Sequence, residues 1–172
     1  PLDISQKTQT LSTYKNLEPE FLKKVKVIAK NLETKPEYLM AAMAFETGGT
    51  FDPCKKNPKS SATGLIQFMS KTAIGLGTTT DNLCKMSRIE QLDYVEKYFL
   101  PYKGKLNTLN DVYLTILYPV AAGKGDDYVV FTKGDGKYEV NSGLDTNKDD
   151  KITAKETVQK VASLYDPSIF IG

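Results

Sequence analysis

The sequence contains no histidine. That absence excludes Ser-His-Asp and Cys-His catalysis and most zinc hydrolase sites, so acid–base chemistry falls to carboxylates, lysine and tyrosine. Cysteine is scarce: Cys54 and Cys84 are the only two. Both fall in loop-like segments, where a bridge would staple the region in an oxidising compartment; two free thiols are the other reading. Charge of one sign is lacking as well, with 23 basic against 21 acidic residues. The net +2 suits an anionic bacterial envelope, but no basic block or aromatic–basic interleaving speaks for nucleic acid. No apolar run approaches the roughly 20 residues of a membrane span, and no signal-like segment is visible. Repeats and low-complexity tracts are absent. Pro1 is not an initiator residue, so the chain reads as a processed form or a piece of something longer.

What is there suffices for one sizeable core, since 40% of the 172 residues are hydrophobic, and the length favours a single domain over 1–172. Residues 1–15 read as a polar arm. Pro19 starts a helix with Phe21, Val25, Ile28 and Leu32 on one face, and a second runs from a capping box at Thr34 and Glu37 to Glu46. A Pro-, Lys- and Asn-rich loop follows, then the apolar stretch 62–69 and a short helix from Ser70. Ser87 caps a longer helix that closes at Pro101. Thr108–Tyr118 is apolar nearly all round and reads as a central buried helix, stopped by Pro119. Over 127–140, β-branched and aromatic residues flank Gly134-Asp135-Gly136, which predicts a β-hairpin. A last helix spans roughly 153–164. The expected fold is mainly α, a helical bundle around that central helix with a small hairpin.

Glu46 is the most informative side chain. Leu39, Ala42 and Met43 precede it by seven, four and three positions, which puts its carboxyl on the same helical stripe as core residues. Desolvation there would raise its pKa, and a carboxylic acid still protonated near neutral pH is what general acid catalysis needs. Thr47-Gly48-Gly49-Thr50 ends the helix beside it. The plain alternative is a glutamate that reaches solvent from a frayed last turn.

Three short motifs bear on that choice: Glu46-Thr47-Gly48, Gly64-Leu65-Ile66-Gln67 and Leu117-Tyr118-Pro119. In order and spacing over roughly 20–125 they resemble the lytic transglycosylase (SLT-type) branch of the lysozyme-like superfamily. Its pattern is Glu-Ser-Gly, Gly-Leu-Met-Gln and, near the end of a buried helix, Ala-Tyr-Asn. The resemblance implies an α+β lysozyme-like fold and cleavage of peptidoglycan between N-acetylmuramic acid and N-acetylglucosamine. Glu46 would be the sole acid/base, protonating the glycosidic oxygen and then drawing a proton from the muramoyl 6-hydroxyl as a 1,6-anhydro ring closes. That hydroxyl is already held at high effective molarity, so no second carboxylate and no cofactor is required. Thr47, Gly64, Gln67 and Tyr118 are the implied substrate-binding residues, with Tyr118 also contacting the glutamate. Pro119 departs from the pattern, where an amide would otherwise bind substrate. A hydrolytic lysozyme would need an Asp to position water; Asp52 is the candidate, and an Asx-turn before Pro53 is its other reading.

Residues 145–156 fit a twelve-residue EF-hand loop. Asp145, Asn147 and Asp149 supply side-chain oxygens, Lys151 its carbonyl, and Glu156 the bidentate carboxylate, around a calcium ion. Asp150 stands where glycine is usual. With a hairpin before it, the loop reads as a lone, half-helical unit over 127–164, for structural calcium or as a metal-free acidic loop. Similar loops are appended to some bacterial and phage members of the resembled family. The expected partners are peptidoglycan glycan strands, with no nucleic acid, no membrane span and action in the periplasm or cell wall. The chain would work as a secreted enzyme or within a larger phage tail or virion protein. A non-catalytic glycan-binding or virion structural module is the contrasting class.

Overall fold

The apolar spacing of the first half translates directly into helices. The computed structural model describes residues 14–171. Helix α1 (Pro19–Leu32) buries Phe21, Val25, Ile28 and Leu32, and it stops at Glu33, whose left-handed φ of 59° turns the chain. Helix α2 (Pro36–Glu46) does not begin with the expected capping box: Lys35 is the N-cap and makes no side-chain cap. Thr34 is diverted, its hydroxyl donating to the Leu106 carbonyl at 2.7 Å. Packing holds α2 in place of capping, because six consecutive residues, Leu39 to Ala44, are buried. The single apolar stripe expected of this helix is thus buriedness all round, and Glu46 is where it ends.

Helices α3 (Ser70–Gly75), α4 (Thr80–Lys85) and α5 (Arg88–Phe99) follow. Ser87 and Glu90 form the capping box of α5, as its sequence suggests. Helix α4 goes beyond the sequence reading and puts Cys84 on a helix. Cys84 is joined there to Cys54 in a disulfide. Helix α6 (Leu109–Leu117) is capped by Thr108 and ended by Pro119; it buries Val112, Tyr113, Leu114 and Thr115. The largest core cluster gathers α1, α2 and α5 around Phe21, Phe51, Phe68, Leu92 and Phe99. Each such side chain contributes about 1.5–3 kcal/mol by leaving water. Of the arm expected over 1–15, all but Tyr14 and Lys15 lies outside the described residues; Tyr14 is buried, and its hydroxyl donates to Leu164 O at 2.6 Å.

The C-terminal third keeps a small antiparallel sheet but pairs it differently from the expected hairpin. Strand β1 (Val129–Thr132) forms, whereas Lys137–Asn141 is a short helix, α7. The reason is local. Both oxygens of Asp135 accept backbone N–H bonds, one from Thr132 at 2.8 Å and one from Tyr138 at 2.7 Å, and Glu139 accepts from Gly134 and Gly136. The Gly-Asp-Gly turn therefore caps a helix instead of returning a strand. The partner of β1 is β2 (Lys151–Thr153), inside the acidic loop, with Phe131 opposite Ile152. Helix α8 (Ala154–Ala162) leaves the loop and packs against both α6 and α2. The loop is thus flanked by a helix on each side, not by a hairpin and a helix, and its exit helix shares a core with α2 through Ala41, Tyr113 and Val161.

Candidate functional site

Glu46 ends α2 because the next residues leave the helix at once. The Thr47 hydroxyl donates to Met43 O at 2.8 Å and accepts the Phe51 N–H at 2.9 Å, while Gly48 and Gly49 take left-handed φ of 60° and 84°. Thr47 is fully buried, so it fixes this corner and does not reach a ligand. The Glu46 carboxyl itself makes no hydrogen bond or ion pair among the described residues. Burial pushes it up to about 7. No neighbouring charge contributes, and the carbonyl end of α2 opposes ionisation in the same direction. It is an acid that keeps its proton close to neutral pH.

Two tyrosines that sequence reasoning assigned no role in the site stand near enough to feel that charge. Tyr98 of α5 is pushed up to about 12, by burial first and then by Tyr102 and Glu46. Its hydroxyl donates to Thr115 O at 2.5 Å. Tyr113 of α6 is raised too, by burial and then by Glu46, and its ring meets Phe45 edge-on with centroids 5.5 Å apart. Nothing local in the sequence marks either one, because each comes from a distant helix and reads there as an ordinary core aromatic. Tyr118, the tyrosine implied to hold the glutamate, makes no hydrogen bond to it. Its ring packs on Phe131, centroids 5.5 Å apart, with Lys137 Nζ 4.4 Å from the ring centre. It belongs to the cluster around the acidic loop, since α6 ends one residue earlier and turns it towards β1.

The Gly64–Gln67 segment is a tight turn bridged at Thr63 to Lys56 and to Phe68. Gly64 has φ of 83°, and a Cβ there would lie 2.4 Å from Gln91 Oε1 and 2.8 Å from Pro53 O. Glycine is required by the chain's own packing, not by a ligand's approach. Gln91 is the residue the sequence hides: buried in the apolar face of α5, it accepts the Leu65 N–H at 2.8 Å and donates to Pro53 O and Leu83 O. One amide thus ties the turn, the loop before Cys54 and the end of α4 together. Gln67 keeps a left-handed φ of 56°, with Nε2 donating to Lys55 O and Gly64 O. Its Oε1 has no partner among the described residues, and with Met69, Tyr98 and Ile116 the side chain lines a small pocket of about 50 Å³. Asp52 is exposed and closes an Asx-turn by accepting the Cys54 N–H at 2.8 Å. Larger cavities, about 340 and 350 Å³, open at the start of α6. Asp111, which lines both, has its carboxylate committed to the Asn107 and Gly123 N–H groups, so size alone does not make them reactive.

The acidic loop brings Asp145, Asp149 and Glu156 together, with one carboxylate oxygen of each within 4.8 Å of the others. Oxygens on a common calcium, bound at 2.3–2.6 Å, stand at most about 5 Å apart, so the donor set fits that ion. Asp150 takes φ of 67°, the left-handed turn usually left to glycine, and its N–H donates to Asp145 at 2.9 Å. Asn147 Oδ1 accepts from the Asp149 N–H, and Lys151 begins β2 with its N–H on Asp149. Tyr138 of α7 donates to Asp145 at 2.7 Å and holds that carboxyl below its usual range. These residues could hold a metal ion. No family model and no curated protein sequence matches this chain.

Proposed function

We propose that the chain is a lytic transglycosylase: it cleaves peptidoglycan glycan strands between N-acetylmuramic acid and N-acetylglucosamine, with Glu46 as single acid/base. The observation that carries this reading is the Glu46 carboxyl, raised to about 7 by burial, unpartnered, and ending a buried helix. Its proton goes to the glycosidic oxygen as the bond to C1 breaks. The resulting carboxylate then takes the proton of the muramoyl 6-hydroxyl as that oxygen bonds to C1, leaving a 1,6-anhydro end and a regenerated acid. Gln67 Oε1, without a partner among the described residues, would accept a hydrogen bond from the sugar. Hydrolysis on the same scaffold would call for a carboxylate that holds water, and Asp52, the candidate for it, is exposed and closes its own Asx-turn through Oδ1. That favours the intramolecular hydroxyl.

Calcium on the loop is assigned a structural role, held by Asp145, Asn147, Asp149, the Lys151 carbonyl and Glu156, and outside the proton transfers. The reading places the chain's work in the periplasm or cell wall, as a secreted enzyme or as part of a phage tail or virion. Digestion of purified peptidoglycan, with mass analysis of the fragments, tests it. Anhydro ends, one water lighter than reducing ends, are expected. Reducing ends alone would replace the reading with a lysozyme, and intact sacculi would leave a binding or structural module.

A further inference from the structure

A second recess lies on the Phe45 side of α2. It encloses about 220 Å³ and draws its walls from two parts of the molecule: Phe45 and Tyr113 from the helices of the candidate site, Val140, Asn141 and Lys160 from the helices that flank the acidic loop. Phe45 directly precedes Glu46 in α2 and its ring meets Tyr113, so the recess is walled by the chain neighbour of the glutamate. Gln67 and Tyr98 line a separate, smaller pocket.

The lining has a specific chemistry. Phe45 and Tyr113 offer crossed ring surfaces. Val140 is 82% exposed at the lip, an apolar side chain the fold does not use. Asn141 spends its Nδ2 on Lys137 O, and its Oδ1 has no partner among the described residues. Lys160 is exposed, pairs with no carboxylate among the described residues, and has its Nζ over the 142–144 turn, 3.8 Å from a Cβ built at Gly143. An aromatic and aliphatic floor, an amide acceptor and one unpaired cation suit an acetamido sugar that carries an anionic substituent. In a peptidoglycan strand that description fits the muramoyl residue, whose peptide stem bears free carboxylates.

We propose that this recess seats a peptide-bearing muramoyl unit of the strand next to Glu46, with Lys160 pairing with a stem carboxylate. The inference rests on reading Glu46 as the glycan-cleaving acid, and it gives the helices around the acidic loop a share in substrate recognition. Lys160 does not touch the reacting atoms; it selects for strands that still carry stems.

The test compares stem-bearing glycan strands with strands stripped of their peptides by an amidase. The substrates are given to the native chain and to Lys160→Glu, Lys160→Arg and Val140→Glu, all exposed positions whose folding is checked by thermal melts. For Lys160→Glu, KM on stem-bearing strands is expected to rise about fivefold with kcat within twofold, in keeping with a rim charge. Lys160→Arg should restore it, and on stripped strands all three Lys160 forms should agree. Val140→Glu should raise KM on both substrates by obstructing the recess. An unchanged KM for either glutamate variant, or an equal rise for Lys160→Glu on both substrates, would overturn the inference and leave the cleavage reading standing. A native chain that cuts neither strand would remove that reading and this inference together.

Discussion

Glu46 and Glu156 are glutamates withdrawn from solvent at opposite kinds of helix end, one closing α2 and the other in the first turn of α8. Burial opposes the charge of both. At Glu156, N–H and hydroxyl donors from Thr153 and Thr146 outweigh that burial and hold the carboxyl below its usual range. At Glu46 no donor answers, and the pKa climbs to about 7. The helix dipole sharpens the contrast, since an N-terminus favours the anion and a C-terminus the neutral acid. The same side chain is thus built as a fixed negative charge in one place and as a proton carrier in the other. Uncompensated burial decides at Glu46, and the supply of donors decides at Glu156.

The contrast breaks most visibly if the proton carrier loses its proton. Glu46→Gln should cut glycan cleavage at least a thousandfold, within the range a general acid commands, with the fold retained; muropeptide release measures it. Stability against pH is the next largest effect. Folding favours protonated Glu46, so its contribution is whole below about 4.5 and is lost as pH rises through about 7. Between those values the native chain should lose about 3 kcal/mol in urea titrations that the Gln variant does not lose, provided other groups cancel between the two. The loop carboxylates should respond to a cation instead. Calcium at a hundred times its Kd should stabilise by about 2.7 kcal/mol, read as a rise in Tm that a chelator reverses. Glu156→Ala should remove that rise and also cost about 2 kcal/mol without metal, because four donors lose their acceptor. At the small end, Lys133 meets Asp150 at 3.5 Å with both side chains well exposed, and Lys133→Ala should shift Tm by no more than a degree or so, as surface pairs do.

Features decided by neighbours in the chain were legible before the structure. The buried face of α1, the Ser87–Glu90 box, the Asx-turn of Asp52 and the spacing of 145–156 all lie within one or two turns of backbone. The 127–140 segment misled because Lys137-Tyr138-Glu139-Val140 suits a strand or a turn of helix equally, and Asp135 tips the balance by capping. The strand that β1 needed came from residues 151–153, a long-range choice no local pattern announces. At the site, Glu46 was legible through its place on an apolar helix. Its company was not: Tyr98 and Tyr113 read as core in their own helices, and Gln91, which braces the Gly64–Gln67 turn, goes unmarked in its own, while Tyr118 and Thr47, named through motif resemblance, turn to other partners.

The docking of α8 carries a consequence for how the molecule comes apart. Val161 packs with Ala41 and Tyr113, and Tyr14 at the other end of the described chain is tied to Leu164 O. A polypeptide shortened before α8 would leave the helix of Glu46 with a bare flank and its first aromatic residue untethered. The segment after Pro119 is therefore no detachable module: whatever tightens the loop should slow the loosening of α2, and heat should undo both in one transition.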